Sequence, residues 1–230
     1  MARLLIHVEG ETEETFVKEV LRDHLYLRGF TNVSARLVGN SRQRDHRGGI
    51  RAWSAVRKDI ISKLRSDPAS LATTMVDYYA LPHSGERAWP GRSAAISRPF
   101  MQKAATVETA LSKDICREMG DSFNPNRFLP FVLMHEFEGL LFSNCEGFAR
   151  GIGRPDLVAG FQAVRDQFDS PEEINDSPET APSKRVTRLY HGYNKPLMGT
   201  LAFLEIGFAV VRRECPHFHQ WLTQLETWPH

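Results

Sequence analysis

A mostly parallel α/β sheet with helices on both faces, followed by a helical carboxyl-terminal extension, is the fold class this sequence predicts. Short apolar runs at 3–8, 33–38, 72–76 and 128–134 alternate with segments whose apolar residues recur at helical spacing, a β-α-β-α-β-α-β order. Two of the runs end in an acid, Glu9 and Asp77. In such sheets chemistry gathers outside the carboxyl ends of the strands, which is where both acids fall.

Residues 3–8 read as a buried strand. Thr12 is the expected cap of the next helix, whose first turn carries Glu13 and Glu14 as the helix dipole prefers. Phe16, Val17, Val20, Leu21 and Leu25 give that helix its apolar stripe, and Gly29 ends it. A second strand follows at 33–38, then a polar loop over 39–49. A helix over 50–65 places Trp53, Val56, Ile60, Ile61 and Leu64 on its apolar side, with Arg51, Lys58 and Arg65 at heptad spacing on nearly one face. The strand at 72–76 leads into 83–100, rich in Gly, Pro, Ser and Arg and read as a long loop. A helix over 102–119 ends at Gly120. Pro130 marks the run 128–134 as an edge or bulged strand. Beyond it, helices are expected at 156–168, 183–190, 197–207 and 208–228, the last broken at Pro216. This divides the chain into an α/β core over 1–145 and a mainly helical part over 146–230 packed on it, or one continuous domain.

Bulk properties bound the answer. With 230 residues, 41% of them hydrophobic, the chain can bury a sizeable core. Cys116, Cys145 and Cys215 are odd in number and widely spaced, which points to neither a disulfide framework nor a zinc site. The first ten residues lack a signal-peptide pattern, and no stretch is apolar enough to span a bilayer, so a cytoplasmic protein without a membrane partner is expected. The net charge of +1 conceals a basic segment. Between Arg36 and Arg65 lie Arg42, Arg44, Arg47, Arg51, Arg57, Lys58 and Lys63 against the acids Asp45 and Asp59 alone. A polyanion such as DNA or RNA would find Arg51, Lys58 and Arg65 there; a solvated helix face explains the same residues. The sequences that cradle nucleotide phosphates, GxxxxGK[ST] and GxGxxG, are absent, as is the GxSxG elbow of serine hydrolases.

Glu9 alone can be an acid that favours a helix start. Paired with Asp77, it makes a carboxylate platform suited to Mg²⁺ or Mn²⁺. Glu136 and Glu138, just after the fourth strand, can add a third carboxylate, or simply open a helix packed by Phe137, Leu140, Leu141 and Phe142. His135 is read as hydrogen-bonded structure. Lys184 and Arg185 sit at a helix start after Pro182-Ser183, a combination that suits a phosphate, and Lys195 can add a cation.

The run Val8-Glu9-Gly10-Glu11-Thr12-Glu13, VEGxTE, resembles the first motif of Toprim domains, found in primases, type I topoisomerases and OLD-family nucleases. Their second motif is DxD; here it reads Asp77-Tyr78-Tyr79, so Tyr79 stands in place of the second aspartate. Taken together with DYYALP at 77–82, HEFEGLLF at 135–142 and PSKR at 182–185, the chain resembles a bacterial Toprim-like family of unknown function over nearly its whole length. That resemblance implies a Rossmann-like Toprim fold and a Mg²⁺- or Mn²⁺-dependent nuclease, acting in phage defence beside an ATPase. It implies metal at Glu9, Asp77 and Glu138 or Glu136, catalysis by Glu9, Asp77 and Lys184, and phosphate positioned by Lys184, Arg185 and Lys195. Two other classes stand beside it: a non-catalytic partner subunit whose metal site has decayed at Tyr79, and a phosphoryl-transfer enzyme acting on a nucleotide.

Overall fold

The computed structural model describes residues 1–38, 50–175 and 179–228. The expected positions Arg42, Arg44 and Arg47 lie outside the described residues. Strand β1 (Ala2–Val8) leads into helix α1 (Glu11–Phe16), a π-helical turn (Val17–Leu21) and helix α2 (Arg22–Tyr26), then β2 (Phe30–Leu37). Helix α3 (Trp53–Ser66) and strand β3 (Ser70–Asp77) follow, then a 3₁₀ turn (Tyr78–Ala80), the short α4 (Arg92–Ala95) and the long α5 (Phe100–Met119). Strands β4 (Phe128–Leu129) and β5 (Val132–Leu133) complete a sheet ordered β2-β1-β3-β4, with β5 also on β3 and every pairing parallel. The rest is helical: α6 (Phe137–Leu141), α7 (Cys145–Gly151), α8 (Val158–Arg165), α9 (Pro182–Leu189), α10 (Lys195–Ile206), α11 (Phe208–Glu214) and α12 (Pro216–Thr227). No described helix is long and apolar enough to cross a membrane.

Side chains alternate across the pleat, so β3 feeds two cores. Leu71 and Met75 face an apolar cluster shared with Phe16, Phe137, Phe203 and Phe218, whereas Ala72 and Val76 face one built with Trp53, Val56, Ile60 and Leu111. The carboxyl-terminal helices contribute to the first cluster through Phe203, Val211, Phe218, Trp221 and Leu222.

Pro130 splits the expected strand 128–134 into β4 and β5, because it has no N–H for the ladder. Side chains take over the lost bonds. The Thr74 hydroxyl donates to the Phe131 carbonyl and accepts from the Phe131 N–H, both at 2.9 Å. Glu108 accepts the Val132 N–H at 2.9 Å and also holds His217 at 2.9 Å. His217 is therefore built into the sheet edge.

Several local expectations need correction. The first helix is entered through Gly10; Thr12 already lies inside it and makes no cap. The basic helix begins at Trp53, so Arg51 precedes it and does not share a face with Lys58 and Arg65. Arg51 bonds Asp59 at 2.8 Å, and Arg65 donates to the Glu118 carbonyl at 3.2 Å. The segment 83–100 is not a long loop but holds α4 and the start of α5. Trp89 is buried against Trp53 with ring centroids 4.9 Å apart, and its indole N–H donates to the Arg51 carbonyl at 3.1 Å.

At the amino edge of the sheet, Asp67 accepts from Arg3 Nε at 2.7 Å, from Lys63 at 3.1 Å and from the Ala69 N–H at 3.2 Å. The Arg3 hydrogen bond is the main cause that holds the Asp67 carboxyl well below its ordinary value of 3.8, with Lys63 helping against partial burial. The stability this contributes is present above pH 3.8 and is lost as pH falls below it toward the folded value. Asp67→Asn is expected to lower stability by about 2 kcal/mol at pH 7, since hydrogen bonds to charged groups are involved. In thermal melts the gap between variant and wild type should shrink as pH drops below 3.8. A pH-independent gap would mean the charge contributes nothing.

Candidate metal centre

β1, β3 and β5 are neighbours in the sheet, so the residues that leave their carboxyl ends meet at one edge. Glu9 follows β1, Asp77 ends β3, and Glu136 stands three residues beyond β5. The Glu9 carboxylate accepts the Asp77 N–H at 3.1 Å, which ties the two strand ends together. Glu136 occupies the cap of α6, and its carboxylate accepts the Ser183 N–H at 2.9 Å. The amino terminus of α9, where PSKR lies, thus docks onto HEFE. Glu138 falls in the first turn of α6 and is buried, with Oε1 at 3.5 Å from Lys195 Nζ on α10.

Glu13 was not singled out as a site residue in the sequence, although it is the last letter of VEGxTE. It is buried, and its Oε2 accepts the Gly10 N–H at 3.0 Å, which fixes the turn just after Glu9. Five carboxylates are therefore within electrostatic reach of one another. Burial raises the Asp77 carboxyl well above the ordinary range, and Glu9, Glu13, Glu136 and Glu138 add to this. Burial also pushes Glu138 up to about 7, against the pull of Lys195. Glu9 and Glu13 are raised by burial too, Glu9 further by Glu136 and Glu13 further by Glu9. Burial pulls the Lys195 ammonium down, but Glu138, Glu136, Asp77 and Glu13 outweigh it and hold its pKa above the usual value. Acids and a lysine all raised in one place make a functional-site candidate.

Among the described residues, no three His, Cys, Asp or Glu side chains already stand at metal-coordination spacing. The donor set itself fits a hard divalent ion. It is all oxygen, and Asp77 Oδ1 and Glu138 Oε1 are buried without a hydrogen bond. Glu9, Asp77, Glu136 and Glu138 are the residues that would hold it.

The other expected site residues separate into two groups. Lys184 is exposed on the first turn of α9, next to the Ser183 N–H that holds Glu136. Arg185 turns away: it donates to the Thr180 carbonyl at 2.8 Å and lies over the Phe168 ring at 5.2 Å. Lys58 is exposed on α3. His135 is buried under Tyr79, and burial, aided by Lys103 and Arg92, lowers its pKa to about 3, so it stays neutral at ordinary pH.

The protein is a parallel α/β sheet whose carboxyl edge gathers buried and half-buried acids beside a lysine. The chain is a member of the family described as "Domain of unknown function (DUF4276)", whose model matches residues 8–226. No curated protein matches it in sequence. Two solved structures of the C-terminal region of the OLD protein of Xanthomonas campestris pv. campestris are similar to it. The structure phased with iodine is 14% identical, covers 100% of this chain and 96% of the other, and superposes with a TM-score of 0.46. For the structure phased with platinum the corresponding values are 15%, 100%, 98% and 0.38.

Proposed function

We propose that this protein is a divalent-cation-dependent nuclease that hydrolyses phosphodiester bonds of DNA or RNA at the carboxyl edge of its sheet. The observation that carries the reading is the convergence of Glu9, Asp77, Glu136 and Glu138 beside Lys195. A cluster of buried acids is costly in isolation, and a cation is the simplest agent that offsets the cost. Bound Mg²⁺ or Mn²⁺ would polarise the phosphoryl oxygen and lower the pKa of an attacking water. Glu9 and Asp77 would fix its place through two neighbouring strands. Glu136 would tie the same site to α9, where Lys184 stands exposed to meet a phosphate. Lys195, its side chain 44% exposed, faces solvent while paired with Glu138 and would offset phosphate charge. Lys58 would attract the nucleic-acid backbone from a distance. Arg51, Arg65 and Arg185 already serve protein groups and have less to offer a phosphate. The motif resemblance extends the proposal to an ATPase partner in phage defence, which copurification from the native host would test.

Mn²⁺ titration by calorimetry is the direct test. Wild type is expected to bind Mn²⁺ at micromolar to millimolar concentration, and Glu138→Gln or Glu136→Gln should weaken it roughly 10- to 100-fold, as loss of a ligand or its support does elsewhere. Tyr79 in place of the second aspartate of the resembled motif, with no three ligands at coordination spacing among the described residues, favours the second reading, a non-catalytic partner subunit. Unchanged titrations in both variants would decide for it.

A further inference from the structure

Tyr79 takes the place of a Toprim acid, so its use has to be sought outside metal binding. It lies two residues beyond Asp77, on the 3₁₀ turn Tyr78–Ala80. Its ring stacks on the imidazole of His135, with centroids 4.7 Å apart and planes at 27°. His135 itself immediately precedes Glu136. The stack is therefore built from chain neighbours of two of the clustered carboxylates.

It is also braced from behind. Tyr78 meets Tyr79 edge-on at 5.7 Å and His135 edge-on at 6.1 Å, and Phe100 flanks His135 at 5.7 Å. Arg92 clamps Tyr78: it lies 3.9 Å above the ring and donates to the Tyr78 carbonyl at 3.0 Å and hydroxyl at 3.1 Å. His135 is only 3% exposed, whereas Tyr79 is 37% exposed. One face of the Tyr79 ring is thus spent on His135, and the residue remains exposed two positions from Asp77.

We propose that the Tyr79–His135 stack is a platform for a nucleobase, and that the site takes unpaired nucleotides. This rests on the nuclease reading and adds the substrate class to it. Bases in a duplex are already stacked on both sides and offer only their edges. An exposed aromatic ring can reach a base that is single-stranded or turned out of the helix. A rigid ring loses little entropy when a base settles on it, and stacking tolerates any base, so the platform selects for strandedness rather than sequence. Placed beside Asp77 and Glu136, it would hold a base while the adjoining phosphodiester lies at the carboxylates. Lys103, 5.9 Å from the Tyr78 ring centroid, adds a positive charge near the stack.

The competing explanation is that Tyr79 only shields His135 from water. Leucine would shield as well, but it offers no π-face. The test uses one oligonucleotide sequence carrying 2-aminopurine, as DNA and as RNA, single-stranded and paired, with Ca²⁺ present. Wild type is expected to quench the fluorescent base in the single strand and not in the duplex. Tyr79→Leu should abolish the quenching and weaken single-strand affinity about tenfold, with duplex affinity unchanged; Tyr79→Trp and Tyr79→Phe should keep both. If Tyr79→Leu quenches and binds as wild type does, the platform is overturned while the nuclease reading stands. If Tyr79→Trp folds but also loses quenching, the ring is not the contact and the platform is again overturned. If wild type binds no strand of either kind, both proposals fall together.

Discussion

Asp77→Asn is expected to lower metal-dependent cleavage about 10²–10³-fold and, in the absence of metal, to raise the melting temperature. The two effects have one cause. Asp77 is half-buried with its Oδ1 out of solvent, and Glu9, Glu13, Glu136 and Glu138 all disfavour its charge. Asparagine keeps the shape and removes the charge, so folding no longer crowds five acids together. A gain on the order of 1 kcal/mol corresponds to roughly 2–4 °C for a chain of this size. The same change removes a carboxylate oxygen, Oδ1, that is buried without a hydrogen bond and that would hold the proposed cation. Loss of such electrostatic support costs about 10²–10³ in kcat. Scanning calorimetry in a chelator and cleavage assays in Mn²⁺ read the two effects on one preparation. A variant that melts lower than wild type and cleaves as well would show that Asp77 is a structural acid. Stability gained where activity is lost is the behaviour of a site whose strain serves its chemistry.

Much of this arrangement was legible in the sequence because it depends on local pattern. An apolar run that ends in an acid before a helix start says where Glu9 lies, and the same logic places Asp77. Pro130 and Pro216 announce breaks because a missing N–H acts wherever it occurs. Bonds between distant segments were not legible. Nothing near Glu136 shows that it will accept the Ser183 N–H, 47 residues away. Lys195 reads in the sequence as a cation for phosphate, but its pairing with Glu138 depends on how α10 packs. Heptad spacing suggested that Arg51 joins Lys58 and Arg65, but the backbone at Arg51 donates its N–H to Val38 instead, which delays the helix to Trp53. The segment 83–100 has loop composition, yet Trp89 supplies enough apolar surface to anchor it. Glu13 was passed over because an acid in a first helical turn has an ordinary explanation; its burial is the fact that composition cannot show.

Gly151→Ala is expected to have the largest effect on stability, and it tests whether α10 is what places Lys195. Gly151 ends α7 where that helix crosses α10. A Cβ there would meet the Ala202 Cα at 2.6 Å, the Ala202 nitrogen at 3.0 Å and the Leu201 carbonyl oxygen at 3.0 Å. All three atoms are backbone, so no side chain can rotate away and α10 itself has to move. Alanine gains up to about 1 kcal/mol over glycine in a helix interior, less at a last residue. Overpacking against backbone costs about 3 kcal/mol and wins. The melting temperature should fall by roughly 6–12 °C. Because α10 starts at Lys195 and also packs through Phe203 on Phe16, at 4.7 Å between rings, a displaced α10 should loosen the Lys195–Glu138 pair and weaken Mn²⁺ binding. Gly153→Ala is the control. Gly153 has φ +69° and nothing within 4 Å of a new Cβ, so alanine there strains one turn by about 1 kcal/mol and leaves α10 in place. Equal effects of the two substitutions on metal affinity would separate Lys195 from the packing of α10 on α7; a loss confined to Gly151→Ala would show that a helix crossing in the carboxyl-terminal half holds the charge balance of the acid cluster.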